Sequence, residues 1–235
     1  MSIKAKIAAG AATLTIVGGG LGMAGTLTAS AATPSCSTDC GQLFSQKYET
    51  HYVVDVYQAK ARAGQPVILF QTSNSDPAED LTFSGLGSVD SFYRSHRHLV
   101  SPQFDHAFGG EEAFEIEYAP YGLNSNFCLS TPGQTARADD NITLQSCGAT
   151  AGSIFAADSE HSVRDFRSEG NEDVPLVSGA TTQFSNPLVL NYPAGNPTDM
   201  PRPQLNVEPE QTYANGTVFD NQQWGVQGGP VHGLS

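Results

Sequence analysis

The stretch VFDNQQWGVQ, residues 218–227, holds the chain's single tryptophan, Trp224, directly after an Asn-Gln-Gln run. Upstream of it stands Leu205-Asn206-Val207-Glu208: apolar, any residue, apolar, then an amide or acid. The same order occurs twice more, as Ile142-Thr143-Leu144-Gln145 before Phe155 and as Ile68-Leu69-Phe70-Gln71 before Phe83. The closing aromatics Phe83, Phe155 and Trp224 are 72 and 69 residues apart. Each unit also has an earlier apolar cluster: YVVDVY (52–57), NFCLST (126–131) and NPLVLNY (186–192). In FEIEYAPYGL, Phe114, Ile116 and Tyr118 alternate with acids, as a half-buried strand requires. Gly, Pro, Asn, Asp and Ser interrupt the chain every few residues, and the apolar runs between them are short. That is the texture of an all-β chain. Three serial units of four short strands predict a closed, three-lobed structure, because closure removes exposed strand edges.

The ends and the charge set the setting. Lys4 and Lys6 precede a long uncharged stretch that ends in Ala29-Ser30-Ala31. This is the layout of a secretory signal peptide, so cleavage after Ala31 and export are expected. The remainder divides into a tail at 32–44 and one domain at 45–235, with lobes at about 45–110, 111–170 and 171–228. Loss of Lys4 and Lys6 takes the formal charge from −13 to −15. Such an acidic chain is repelled by phosphate backbones and anionic lipid, so neither nucleic acid nor membrane is an expected partner. Four cysteines in an exported chain imply two disulfides with three possible connectivities. The local pairs Cys36–Cys40 and Cys128–Cys147 are the expected ones.

The ordered landmarks resemble those of the ricin-type β-trefoil lectin module. In that family each lobe has a Cys-Leu-Asp-like strand, then an apolar-x-Leu-Gln-x-Cys strand, and closes on Gln-x-Trp. FEIEYAPYGLNSNFCLS followed by NITLQSCGATAGSIF fits the middle lobe, and Asn221-Gln222-Gln223-Trp224 matches the closing motif in full. The resemblance covers residues 45 to 228 and implies a β-trefoil of three unequal lobes with long inter-lobe insertions. It places Cys128 and Cys147 at the family's intra-lobe disulfide, the closing aromatics in the core, and the glutamine before them on backbone groups. It also implies carbohydrate binding through a strand Asp, an Asn-Gln pair and an aromatic platform. Those parts are dispersed here. Lobe one has Asp55 but Asp80-Leu81 at the pair; lobe two has Ser130 and Gly152-Ser153; lobe three has Asn221 and Gln222, with Leu190 or Asn191 at the acid position and Tyr192 as platform. The expected carbohydrate-binding residues are therefore Asn191, Tyr192, Asn221, Gln222 and Asp55.

Other chemistry finds little support. The segment from Ser91 to Glu112 gathers His96, His98, Asp105, His106, Glu111 and Glu112, yet Arg94 and Arg97 sit among them. It reads as a polar loop rather than a metal or acid–base centre. No Gly-x-Ser-x-Gly elbow occurs. The chain is expected to be a non-catalytic carbohydrate binder without metal or cofactor. The alternative is a secreted interaction or inhibitor protein that has lost sugar binding and contacts a protein partner through its long loops.

Overall fold

The computed structural model describes residues 40–48, 51–73, 75–96, 99–164, 172–193 and 202–227. The stretch expected to be a signal peptide and Cys36 lie outside these residues.

Strand β1 (Gln42–Ser45) begins inside the 32–44 stretch expected to be tail, because Leu43 and Phe44 are apolar and fully buried. It is followed by the hairpin β2 (Tyr52–Val56) and β3 (Val67–Gln71), and then by β4 (Leu81–Ser88). The second lobe repeats the order with β5 (Glu112–Tyr118), β6 (Phe127–Ser130), β7 (Thr143–Ser146) and β8 (Phe155–Ala157). A small ladder of β9 (Val163–Arg164) with β10 (Glu172–Asp173) intervenes. The third lobe has β11 (Leu176–Ser178), β12 (Leu188–Asn191), β13 (Asn206–Pro209) and β14 (Trp224–Gln227).

Two hydrogen-bonded rings define the architecture. The first is a barrel. β1 pairs β14, Trp224 bridges to Val174 just before β11, β11 pairs β8, β8 pairs β5, β5 pairs β4, and Leu81 bridges back to Gly41. The second joins the three hairpins end to end. Val67 N–H donates to Ile142 O at 3.2 Å, Ile142 N–H to Leu205 O at 2.7 Å, and Leu205 N–H to Val67 O at 2.9 Å. A cyclic triad of equivalent backbone groups is a pseudo-threefold axis written in hydrogen bonds. The fold is a β-trefoil.

The axis also corrects the sequence alignment. Gly41, Phe114 and Val174 face Leu81, Phe155 and Trp224 within their lobes. Four residues on, Ser45, Tyr118 and Ser178 face Trp224, Leu81 and Phe155 of the neighbouring lobe. Leu81, not Phe83, is therefore the counterpart of Phe155 and Trp224, and all three are fully buried. Phe83 lies two residues further along β4, opposite Ile116, where its half-buried ring packs on Phe114. The barrel position needs apolar volume, and a leucine supplies it. Likewise Val67, not Ile68, matches Ile142 and Leu205 in the hairpin ring, a one-residue shift of the lobe-one motif.

The 91–112 segment is not a loop. It holds two helices, α1 (Val89–His96) and α2 (Pro102–Phe108), which bury Val89, Phe92 and Phe104. Ser101 caps α2 by accepting the Phe104 N–H at 3.0 Å, and Pro102 occupies the first turn, where its missing N–H costs nothing. Cys128 and Cys147 form the expected disulfide across the β6–β7 hairpin. Cys40 is disulfide-bonded as well.

Candidate functional site

The threefold relation puts the position expected for a sugar site in each lobe on a common footing. Val54, Leu129 and Leu190 face Leu69, Leu144 and Val207 across their hairpins, so the following residues Asp55, Ser130 and Asn191 correspond. Each closing residue is preceded by a single 3-10 turn: Pro77–Glu79, Ala151–Ser153 and Asp220–Gln222. Ala78, Gly152 and Asn221 are thus counterparts, as are Glu79, Ser153 and Gln222.

The glutamine position does structural work. Gln222 accepts the Gln211 N–H at 2.8 Å and donates to Pro209 O at 3.1 Å. In lobe one the same place is taken by Glu79, which accepts the Ser73 N–H at 2.9 Å and the Gln42 Nε2–H at 2.8 Å. In lobe two Ser153 is too short. Glu115 reaches in from β5 instead and accepts from Gly148 N–H at 2.6 Å and Ser153 Oγ–H at 2.9 Å.

Lobe three has spent its polar groups on itself. Asn221 Nδ2 donates to Asn191 Oδ1 at 2.8 Å and to Tyr192 O at 3.0 Å. Asn191 Nδ2 donates to Asn206 Oδ1 at 2.8 Å, and Asn206 Nδ2 to Glu208 Oε1 at 3.1 Å. Asn191 and Asn206 are buried. Tyr192 is fully buried too, with its ring edge-on to Tyr48 at 5.5 Å between centroids, so it presents no open face for a sugar. It packs the core; it is not a platform. The structure brings Asn191, Tyr192 and Asn221 together, turns Gln222 toward backbone, and leaves Asp55 in another lobe.

Lobe two is closed. Ser130 Oγ–H donates to Thr131 O at 2.7 Å, and a Cβ at Gly152 would collide with that same carbonyl and the Thr131 hydroxyl. Glycine is required there by close approach, and no ligand fits between.

Lobe one is different. Asp55 is 5% exposed, and no group among the described residues donates a hydrogen bond to its carboxylate. One carboxylate oxygen each from Asp55, Asp76 and Glu79 lie within 4.8 Å of one another. Asp76 caps its turn by accepting the Ala78 N–H at 2.9 Å through Oδ1. Burial, then the charge of Asp76, lifts the Asp55 carboxyl to about 7 against the pull of Arg202. Burial also lifts Glu79 to about 8, opposed by the Ser73 N–H and helped by the charges of Asp55 and Asp76. Arg202 lies over the Phe70 ring at 3.5 Å from its centroid. The turns at Tyr57–Ala59 and Pro120–Gly122 both pack against Pro77–Glu79. They carry Tyr57, 41% exposed, and Tyr121, 65% exposed. Tyr121 is fixed to the cluster's edge by its N–H, which donates to Asp80 Oδ2 at 2.9 Å.

Sequence reasoning found Asp55 and missed Glu79, Asp76 and Tyr121. Anchoring lobe one on Phe83 put Asp80-Leu81 at the Asn-Gln position; anchoring on Leu81 puts Ala78-Glu79 there. Tyr121 comes from the lobe-two chain and joins lobe one only through the β4–β5 pairing. A second cluster joins His161 to two acids. His161 Nδ1 lies 2.8 Å from Asp158 and 3.2 Å from Glu210. Burial pulls His161 down, and the Asp158 hydrogen bond with the charges of Asp158, Glu210 and Glu160 more than offsets it, so its pKa rises. Of the histidines in the helical insertion, His96 stacks on Phe92 at 5.0 Å and its Nδ1 meets Ser95 Oγ at 2.9 Å. His98 lies outside the described residues.

No protein-family model and no curated protein matches the chain. Several solved structures are similar in outline. The designed three-fold symmetric protein ThreeFoil has a TM-score of 0.49 at 13% identity, covering 80% of this chain and 96% of its own. A Polyporus squamosus lectin bound to a human-type influenza-binding epitope gives 0.48 at 12% identity, over 81% of this chain and 49% of the lectin. The binding domain of botulinum neurotoxin DC in complex with rat synaptotagmin II gives 0.41 at 10%, over 80% and 42%. The trefoil assignment rests on the two hydrogen-bonded rings and not on these likenesses.

Proposed function

We propose that this chain is a secreted, non-catalytic carbohydrate-binding protein whose working site is in lobe one. The observation that carries the reading is the exposed Tyr121, on a turn packed against the Pro77–Glu79 turn that belongs to the Asp55–Asp76–Glu79 cluster. A pyranose offers hydroxyl donors on its rim and an apolar C–H face. Carboxylate oxygens with spare acceptor capacity suit the first, and an exposed tyrosine ring suits the second. Tyr57, on a second turn packed against Pro77–Glu79, extends the apolar contact. At the corresponding strand positions of lobes two and three, Ser130 and Asn191 replace the acid and are hydrogen-bonded within their own lobes. Export is supported by the signal-like first 31 residues and by a disulfide at Cys128–Cys147, which belongs to an oxidising compartment.

The protein-partner reading draws on the same surface, where Leu123 is 70% exposed next to Tyr121. One experiment separates the two. Glycan-array binding, followed by calorimetry on the hits, is expected to fall about tenfold or more in Tyr121→Ala, as loss of an aromatic platform and roughly 1.4 kcal/mol would give. Tyr121 is exposed, so its removal leaves the fold intact. A blank array across plant, bacterial and animal glycans moves the weight to a protein partner, and undiminished binding in Tyr121→Ala removes lobe one as the site.

A further inference from the structure

We propose that lobe one holds a calcium ion between Asp55, Asp76 and Glu79. The further step, that saccharide binding there depends on the ion, rests on the carbohydrate reading given above; the ion site itself does not.

Three observations converge. First, one oxygen from each carboxylate falls within 4.8 Å of the others, close enough for all three to reach one ion at calcium's oxygen distances of about 2.3–2.6 Å. Second, Asp55 is 5% exposed and receives no hydrogen-bond donor among the described residues, whereas its counterparts are satisfied: Ser130 on Thr131 O, Asn191 on Asn221 and Asn206. A carboxylate so largely removed from water gains from a positive partner. Arg202 acts on Asp55 from its seat over Phe70, yet among the described residues no ion pair joins them. Third, a group outside the cluster is orphaned beside it. Tyr118 is fully buried and, among the described residues, its hydroxyl has no hydrogen-bond partner. It stands opposite Leu81, directly after the Pro77–Glu79 turn, and lies in the field of Asp55, Asp80 and Asp76. A hydroxyl so placed can donate to a water in the ion's coordination shell.

The donor set is three carboxylic groups and no nitrogen or sulfur, which suits a hard cation over zinc or copper. Glu79 is pinned by Ser73 and Gln42, and Asp76 keeps Oδ2 free while Oδ1 caps its turn. Fixed ligands of uneven geometry favour calcium, which tolerates irregular shells, over magnesium, which demands an octahedron.

Calorimetric titration of the whole protein with calcium chloride, after chelation and dialysis, tests the site without any glycan. The expected result is one saturable site, weaker with magnesium chloride. Asp55→Asn and Asp76→Asn should each weaken it by about tenfold or more, and Glu208→Gln should leave it unchanged. Asp76 lies in a surface turn, so its variant folds even if Asp55→Asn does not. Absence of a saturable site up to millimolar calcium overturns the proposal, as does wild-type affinity retained in both Asp variants or loss in Glu208→Gln, which would mean diffuse attraction to an acidic surface. Glycan binding is then compared in calcium and in chelator. Dependence on calcium joins the two functions. Saturable calcium binding with a blank array leaves the ion site standing and removes the saccharide reading alone.

Discussion

Lobes one and three carry the same scaffold positions and fill them in opposite ways. In lobe three, Asn221, Asn191, Asn206 and Glu208 form a chain in which each amide donates to the next residue's oxygen. In lobe one, the equivalent strand residue is Asp55, buried and without a donor, facing two further carboxylates. A satisfied network strengthens its own members and rigidifies the fold, but has no capacity left for a ligand. A frustrated one costs stability and keeps that capacity. The motif that resembles the ricin-type sugar site is more complete in lobe three, where it has become structure. The site with free acceptors is in lobe one, where the motif is nearly erased.

The largest effects test the barrel equivalence. Trp224→Ala should cost about 3–5 kcal/mol, since the ring is fully buried and its Nε1–H donates to Leu190 O at 2.9 Å. Leu81→Ala should cost about 2–5 kcal/mol, and Phe83→Ala roughly half as much as a fully buried ring would. Denaturant unfolding reads all three. A cost for Phe83 exceeding that for Leu81 would break the correspondence between the lobes. Next comes the polar contrast. Asn221→Ala leaves Asn191 Oδ1 without its donor and should destabilise by about 1–3 kcal/mol, with glycan binding retained. Asp55→Asn should do the reverse in chelated buffer at pH 8. Removing a buried charge that repels Asp76 raises stability by about 1–3 kcal/mol, and ligand binding is lost. If both variants destabilise alike, the two lobes are not opposites.

The sequence carried the trefoil because the core obeys the repeat: Ile142, Leu144, Leu205 and Val207 are all fully buried, as the apolar-x-apolar pattern requires. It misaligned lobe one because the closing position accepts any large apolar side chain, and Phe83 outbid Leu81 by being aromatic. Helix α2 was legible in principle from Ser101-Pro102, a cap followed by a helix-opening proline, although the clustered histidines and arginines give the segment the composition of a polar loop. The lobe-one cluster was not legible at all. Its members come from β2, a turn forty residues short of Tyr121, and the start of the second lobe; only strand pairing places them together. Nor could burial be seen in advance: Tyr192 looks like a platform by its position after Asn191, and is sealed by Tyr48 from the first lobe.

The smallest effect concerns acids on both sides of the comparison. Glu208, at the end of the lobe-three amide chain, is pushed up to about 7, first by burial and then by the hydrogen bond and charge of Asp139, against the Asn206 amide. An acid whose folded pKa lies above its unfolded value binds its proton more tightly in the fold. The stability it lends is complete below the ordinary carboxyl range near 4.5 and is lost as pH climbs through about 7. Glutamine cannot ionise, so Glu208→Gln should lose less stability than wild type between pH 4.5 and 7, by about 1–2 kcal/mol after allowance for partial solvent contact. Unfolding free energies in chelator across that window are the measurement. Asp55 and Glu79 carry the same sign, at about 7 and about 8, so the slope that survives in Glu208→Gln and extends to pH 8 belongs to lobe one. If Glu208→Gln removed the whole slope, the lobe-one carboxylates would be paired after all, and the contrast between the lobes would close.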